Sequence, residues 1–212
     1  MAERTVAKFP FAGRTMVLAS GNAGKLREIA GMVQPLGWTV LPQSNWNITA
    51  AVEDGATFLE NALIKARHAA MHTGLPALAD DSGLVVAALA GAPGIFSSRF
   101  AGEPADDQAN NRKLLELMRA VPLERRAAYF YCAMVVLRHA QDPAPLVATG
   151  LWRGSITQSP GGLGGFGYDP VFRVEIHGCT AAELQPEIKN SLSHRGQALA
   201  SLMVQLQSAQ YG

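Results

Sequence analysis

Cysteine is scarce: Cys132 and Cys179 are the only two in 212 residues. They lie far apart with no Cys or His beside them at ligand spacing, which excludes a disulfide framework and a structural zinc site. An excess of one charge is also missing. Eighteen Lys and Arg face 17 Asp and Glu, for a formal net charge of +1, so the chain lacks the basic footprint needed to neutralise many phosphates of a nucleic acid. A stable nucleic-acid complex is set aside, and any anionic ligand is expected to be small and met locally. No apolar run approaches the ~20 residues of a membrane span, and the N-terminus has no signal-peptide core. A cytoplasmic protein with no membrane association is expected. Repeats, low-complexity tracts and dividing linkers are absent as well, which leaves one domain over residues 15–212 behind a flexible leader, residues 1–14.

What is present begins with hydrophobicity. At 48% apolar residues the chain is long enough to bury one substantial core. "TMVLAS" reads as a buried strand, followed by a glycine turn and a helix from Lys25 to about Val33, with Leu26, Ile29, Ala30 and Val33 at helical spacing. "WTVLP" starts a second strand. In "VEDGATFLENALIKARHAAMHTG", Thr57 and Glu60 have the spacing of a capping box. Phe58, Ala62, Lys65 or Ala66, and Ala69 then run down one face of a helix that stops at Gly74. "LPALADDSGLVVAAL" reads as a strand, a turn at Asp81-Ser82-Gly83 and a further apolar segment. "DDQANNRKLLELMRAV" predicts another helix, and "AAYFYCAMVVLRH" and "PLVATGLWRGSIT" an antiparallel pair joined through "AQDPA". A glycine-rich loop, "SPGGLGGFGYDP", precedes a last helix from near Ser193. Together these elements predict an α/β protein with a mixed sheet.

Several stretches carry candidate chemistry. Ser20-Gly21-Asn22-Ala23-Gly24-Lys25 resembles a phosphate loop but fails the Walker pattern, since Ala19 stands where the first glycine belongs and Leu26 where the hydroxyl belongs. It is either another anion site at a helix N-terminus or a plain connection. Glu53-Asp54 and Asp80-Asp81 are acidic pairs. Exposed turn residues are the simpler account, but carboxylates converging beyond a strand end would recruit magnesium, which takes oxygen ligands and bridges to phosphates. "GGLGGFGYD" offers close backbone approach and two aromatics, Phe166 and Tyr168, which either stack on a base or tuck into the core. Lys189, His194 and Arg195 add donors before the last helix.

In order, "SGNAGKLREI", "TFLENALIKARHA", "ALADDSGL", "GAPGIFSSRFAG", "GGFGYDPVF" and "SHRGQAL" closely resemble the inosine/xanthosine triphosphate pyrophosphatase family, from about Met16 to the last helix. The resemblance implies an elongated, two-lobed α/β domain with a central mixed sheet, helices on its flanks and a cleft between lobes, assembled as a homodimer. It also implies magnesium-dependent hydrolysis of ITP, dITP and XTP to monophosphate and pyrophosphate, which keeps deaminated purines out of DNA and RNA. Carried onto this chain, residues Ser20 to Lys25 hold the triphosphate, and Glu53 and Asp81 handle magnesium with Asp80 assisting. Ser82 contacts substrate, while Phe166, Gly167, Tyr168, Asp169, Lys189, His194 and Arg195 surround the base. Asp81 is the candidate for orienting or deprotonating the attacking water, and its roles as base and as metal ligand stay open. Many relatives have tryptophan at Tyr168. Competing readings are the Maf-like pyrophosphatases, a nucleotide sensor without turnover and a nucleic-acid-binding module.

Overall fold

A computed structural model describes residues 14–21, 23–34 and 37–208. The leader up to residue 13 and Asn22 of the first loop lie outside the described residues. Five helices, α1 (Ala23–Val33), α2 (Phe58–Thr73), α3 (Asp107–Leu117), α4 (Pro186–Leu192) and α5 (His194–Ser208), flank a mixed sheet. Its strands are β1 (Thr15–Leu18), β2 (Thr39–Pro42), β3 (Ala77–Val86), β4 (Ala127–Leu137), β5 (Leu146–Ile156), β6 (Phe172–Val174) and β7 (Cys179–Thr180). They run in the order β2-β1-β3-β4-β5-β6-β7. β1 is parallel to β2 and β3, and every pair from β3 onward is antiparallel.

Period-two alternation builds a core on each face of this sheet. Along β4, Cys132, Met134 and Val136 join the apolar faces of α1 and α5, while Ala133, Val135 and Leu137 join the alanine stripe of α2. The distal halves of β3, β4 and β5 form a further cluster with Leu114 and Met118 of the α3 segment and with Phe172 and Val174. β3, β4 and β5 therefore run through both lobes.

Several local expectations hold. Thr57 and Glu60 close the capping box of α2, and Gly74 ends it in the left-handed conformation. Leu199, Leu202, Met203 and Leu206 of α5 are all buried. One expectation needs correcting: Asp81-Ser82-Gly83 is no turn but the middle of β3, paired residue for residue with Ala133, Cys132 and Tyr131. Polar residues tolerate this mid-strand burial because charged partners meet them there. Gly83 is required by packing, since a Cβ would fall 2.3 Å from Ser97 Oγ and 2.5 Å from the Gly94 carbonyl. The acidic pair accordingly lies within a strand and not beyond its end. β1, however, pairs with β3 only at Ala77 and Leu78, so Asp80 to Ser82 continue past the point where β1 gives way to the Ser20 loop.

Candidate active site

A cleft of about 330 Å³ opens at that point. Its lining includes Ser20, Gly21, Lys25, Glu53, Asp81, Ser82, Phe166, Gly167, Tyr168, Asp169, Lys189, His194 and Arg195. Residues more than 170 positions apart thus meet in one place. Gly24 and Asp80 do not line it, and Asn22 is outside the described residues.

Strand alternation sends the two aspartates to opposite faces. Asp80, 1% exposed, takes Lys25 Nζ at 2.8 Å and lies 3.5 Å from Arg195 Nε. Ser82, two residues on and so on the same face, donates to Asp80 Oδ2 at 3.3 Å and accepts from Arg195 Nη2 at 3.2 Å. Burial alone would raise the Asp80 pKa, but Lys25, Arg195 and Lys65 overcome it and hold the carboxyl well below the usual range. Asp80 is therefore an anionic anchor for two cations at neutral pH.

Asp81 faces α2. Its Oδ1 accepts from Lys65 Nζ at 2.8 Å, and Asn61 Nδ2 lies 3.4 Å from its Oδ2. Lys65 Nζ also reaches Glu53 Oε2 at 3.0 Å. Burial pushes the Asp81 pKa up against the opposing pull of Lys65. Burial likewise disfavours the Lys65 ammonium, yet Asp81, Asp80 and Glu53 together raise its pKa. Two carboxylates thus converge on one positive charge.

The donor set tests the expected magnesium site. Among the described residues, no group of three or more His, Cys, Asp or Glu is arranged to hold a metal. Asp80 was expected to assist Glu53 and Asp81, but alternation turns it toward Lys25 and Arg195. What remains, Glu53 and Asp81, is an all-oxygen pair around a place that already accepts a cation. This fits magnesium, which is commonly bound by one or two carboxylates plus substrate phosphates.

The other wall is built from the glycine-rich loop. Phe166 stays 37% exposed, with Lys189 Nζ 4.8 Å and Arg195 Cζ 5.6 Å from its ring centroid. Asp169 Oδ2 accepts from the Phe166 N–H at 2.8 Å and from Lys189 Nζ at 2.6 Å, locking ring and lysine together. Tyr168 belongs to the core reading of the loop aromatics: it is buried, and its hydroxyl donates to the Ser97 carbonyl at 2.8 Å. His194 stacks on Phe130 at 4.8 Å and 10°. Burial, with Arg195 adding to it, drops its pKa well below the ordinary value, so it is neutral, and Nδ1 has no partner among the described residues. Gly150 of β5 lets α5 start here, because a Cβ would lie 1.9 Å from the His194 carbonyl.

Sequence reasoning missed Lys65, Asn61, Arg99 and Asp107. Lys65 left one signal, a lone lysine on a stripe otherwise made of Phe58, Ala62, Ala66 and Ala69. Arg99 and Asp107 also line the cleft; Arg99 lies within GAPGIFSSRFAG, a stretch noted for its resemblance and given no site role, and Asp107 opens a helix read only for its capping and periodicity.

Comparison with known proteins decides the family. Residues 16–205 match the Ham1 family model. The chain belongs to the Ham1 family. A dITP/XTP pyrophosphatase of Xanthomonas campestris pv. campestris is 58% identical over 191 residues, 90% of this chain and 96% of that protein. The dITP/XTP pyrophosphatase of Escherichia coli K12 is 55% identical over 188 residues, 89% and 95% respectively. Among solved structures, a HAM1 protein from Coxiella burnetii superposes with a TM-score of 0.86 at 49% identity, covering 92% of this chain and 98% of the other. A protein from Mycobacterium abscessus described as nucleoside-triphosphatase / dITP/XTP pyrophosphatase gives 0.74 at 43% identity, covering 89% and 98%. The α/β arrangement of a mixed sheet flanked by helices, which the resemblance implies, is thereby shared with solved Ham1 structures.

Proposed function

We propose that this Ham1 protein hydrolyses non-standard purine nucleoside triphosphates, ITP, dITP and XTP, to the monophosphate and pyrophosphate. The observation that carries this reading is the meeting, in one cleft, of an oxygen-only cation site, a lysine-bearing helix N-terminus and an exposed aromatic flanked by donors. The names of the relatives support it.

Glu53 and Asp81 hold magnesium in this reading, and Lys25, with the Ser20 to Gly24 backbone, faces the triphosphate. When bound, the metal supplies Lewis-acid charge neutralisation and a template for the phosphates. Asp80 keeps Lys25 and Arg195 in place. Water attacks the α-phosphorus, the α–β bridging P–O bond breaks and pyrophosphate leaves. Asp81 orients that water and takes up its proton. Lys65 balances the developing negative charge. The purine lies against Phe166, where Lys189, Arg195 and neutral His194 offer donors to a six-position carbonyl. Adenine carries an amino group there and would leave those donors unpaired, at a cost of ~1–3 kcal/mol for each buried group.

We also carry over from the resemblance a homodimer and a cytoplasmic location. Among the described residues, no helix is long and apolar enough to cross a membrane.

The deciding experiment incubates protein and magnesium with ITP, XTP, dITP, ATP, GTP and dTTP and measures pyrophosphate and orthophosphate separately. Pyrophosphate from the first three is expected. Orthophosphate alone, or equal turnover of ATP, would sink the proposal.

A further inference from the structure

α3 begins on Asp106, whose side chain accepts from the N–H groups of Gln108 and Ala109. The polar residues of its first two turns then reach off the helix to two segments that border the cleft. Asp107 Oδ2 accepts from the Gly167 N–H at 2.7 Å, and Asn111 Nδ2 donates to the Gly167 carbonyl at 2.9 Å. Side chains four residues apart share one helix face, so both polar groups of a single loop residue are gripped together. Asn110 holds a second segment, accepting from the Ala101 N–H at 2.7 Å and donating to the Ser98 carbonyl at 3.0 Å.

Asn111 is anomalous in energetic terms. It is buried, and its Oδ1 has no partner among the described residues. A buried amide with an unused acceptor is a net cost to stability, and leucine of similar size would avoid it. What this asparagine contributes is its one donation, to the residue that follows Phe166.

We infer that Asn111, together with Asp107, is a positioning device for purine recognition, fixing the pitch of the Phe166 ring through Gly167. This rests on the reading of Phe166 as the base platform. Asn111 acts through Gly167 and Phe166, and its loss is felt where the base is read and not where phosphate is held.

The test compares the wild-type protein with Asn111→Leu, Asp107→Ala and Asp107→Asn, using ITP and GTP as substrates and inorganic tripolyphosphate, which has no base, as inhibitor. For Asn111→Leu and Asp107→Ala the KM for ITP rises about tenfold with kcat within about twofold, the size of one lost hydrogen bond. The ITP-over-GTP preference narrows, the tripolyphosphate Ki is unchanged, and the melting temperature of Asn111→Leu does not fall. Asp107→Asn, which keeps an acceptor oxygen, restores the wild-type KM. Because Asp107 is exposed, its variants remain informative should Asn111→Leu fail to fold. A KM equal to wild type in Asp107→Ala, or a tripolyphosphate Ki rising in step with KM, overturns the inference. Wild-type protein that leaves ITP intact overturns instead the reading on which it rests.

Discussion

Asp80 and Asp81 share a peptide bond and titrate in opposite directions, and stability should register the difference. Asp80 is depressed by Lys25, Arg195 and Lys65 despite its burial. Its stabilising contribution is complete above the unfolded carboxylate value, about 3.9, and is lost as pH falls through the lower folded value. Asp80→Asn removes the anion beside two poorly solvated cations and is expected to cost ~3–5 kcal/mol in urea unfolding. Asp81 is raised by burial against the pull of Lys65, and Lys65 keeps Glu53 when Asp81 is neutralised. Asp81→Asn should therefore change stability by no more than about 1 kcal/mol while abolishing turnover, and an equal loss of stability in both variants would contradict this division. His194 adds acid sensitivity from another direction. Because burial keeps it neutral in the fold, the unfolded chain binds the extra proton below about pH 6.5, and stability drops by up to ~1.4 kcal/mol per pH unit below that point. Urea titrations at pH 7 and pH 5 should show a shallower loss for His194→Gln than for wild type.

At the scale of elements, α2 works as a clamp. Asn61, Lys65 and His68, at intervals of four and three, hold the loop before the helix at three points: the Gly55 N–H reaches Asn61 Oδ1 at 2.9 Å, Glu53 reaches Lys65, and the Thr49 carbonyl lies 2.8 Å from His68 Nε2. Asn61 touches Asp81 as well, so one buried amide links one proposed metal ligand, Asp81, to the loop that carries the other, Glu53. Asn61→Leu, near in volume, should raise the magnesium concentration for half-maximal binding several-fold, by roughly one lost hydrogen bond; calorimetric titration with magnesium measures it without turnover. Much of α2 was legible in the sequence, because capping and helical periodicity are local and Thr57, Glu60, Ala62, Ala66 and Gly74 spell them out. The turn wrongly read at Asp81-Ser82-Gly83 marks the limit. Local propensity places Asp, Ser and Gly in turns, whereas Lys25, Lys65, Arg195 and Ser97, which hold this segment in a strand, come from elsewhere in the chain. β6 and β7, three and two residues long, are too short to show any period. Loop motifs brought most cleft residues to notice, but Asp107 and Asn111 act through one backbone residue 60 and 56 positions away, a link that no spacing rule contains.

For the molecule as a whole, the lobes are joined by three continuous strands, and Cys132 sits within that shared sheet. Burial, the larger cause, and the nearby Asp80 push its thiol up to about 12, while Cys179 is half-buried. A thiol reagent should modify one cysteine in the native protein and two in denaturant, with Cys132 reacting at the rate of global opening. Rapid native modification of both would mean that the lobes separate more easily than the sheet indicates. The same sheet explains a tolerance that differs from place to place. In β3 the identity of each face is counted off in steps of two, so Asp80 and Asp81 are addressed by parity. A single inserted residue upstream in the strand would exchange their surroundings, delivering the anchor to Lys65 and the proposed metal ligand to Lys25 and Arg195. Sequence length, more than side-chain chemistry, is what this stretch must conserve to keep its two halves distinct.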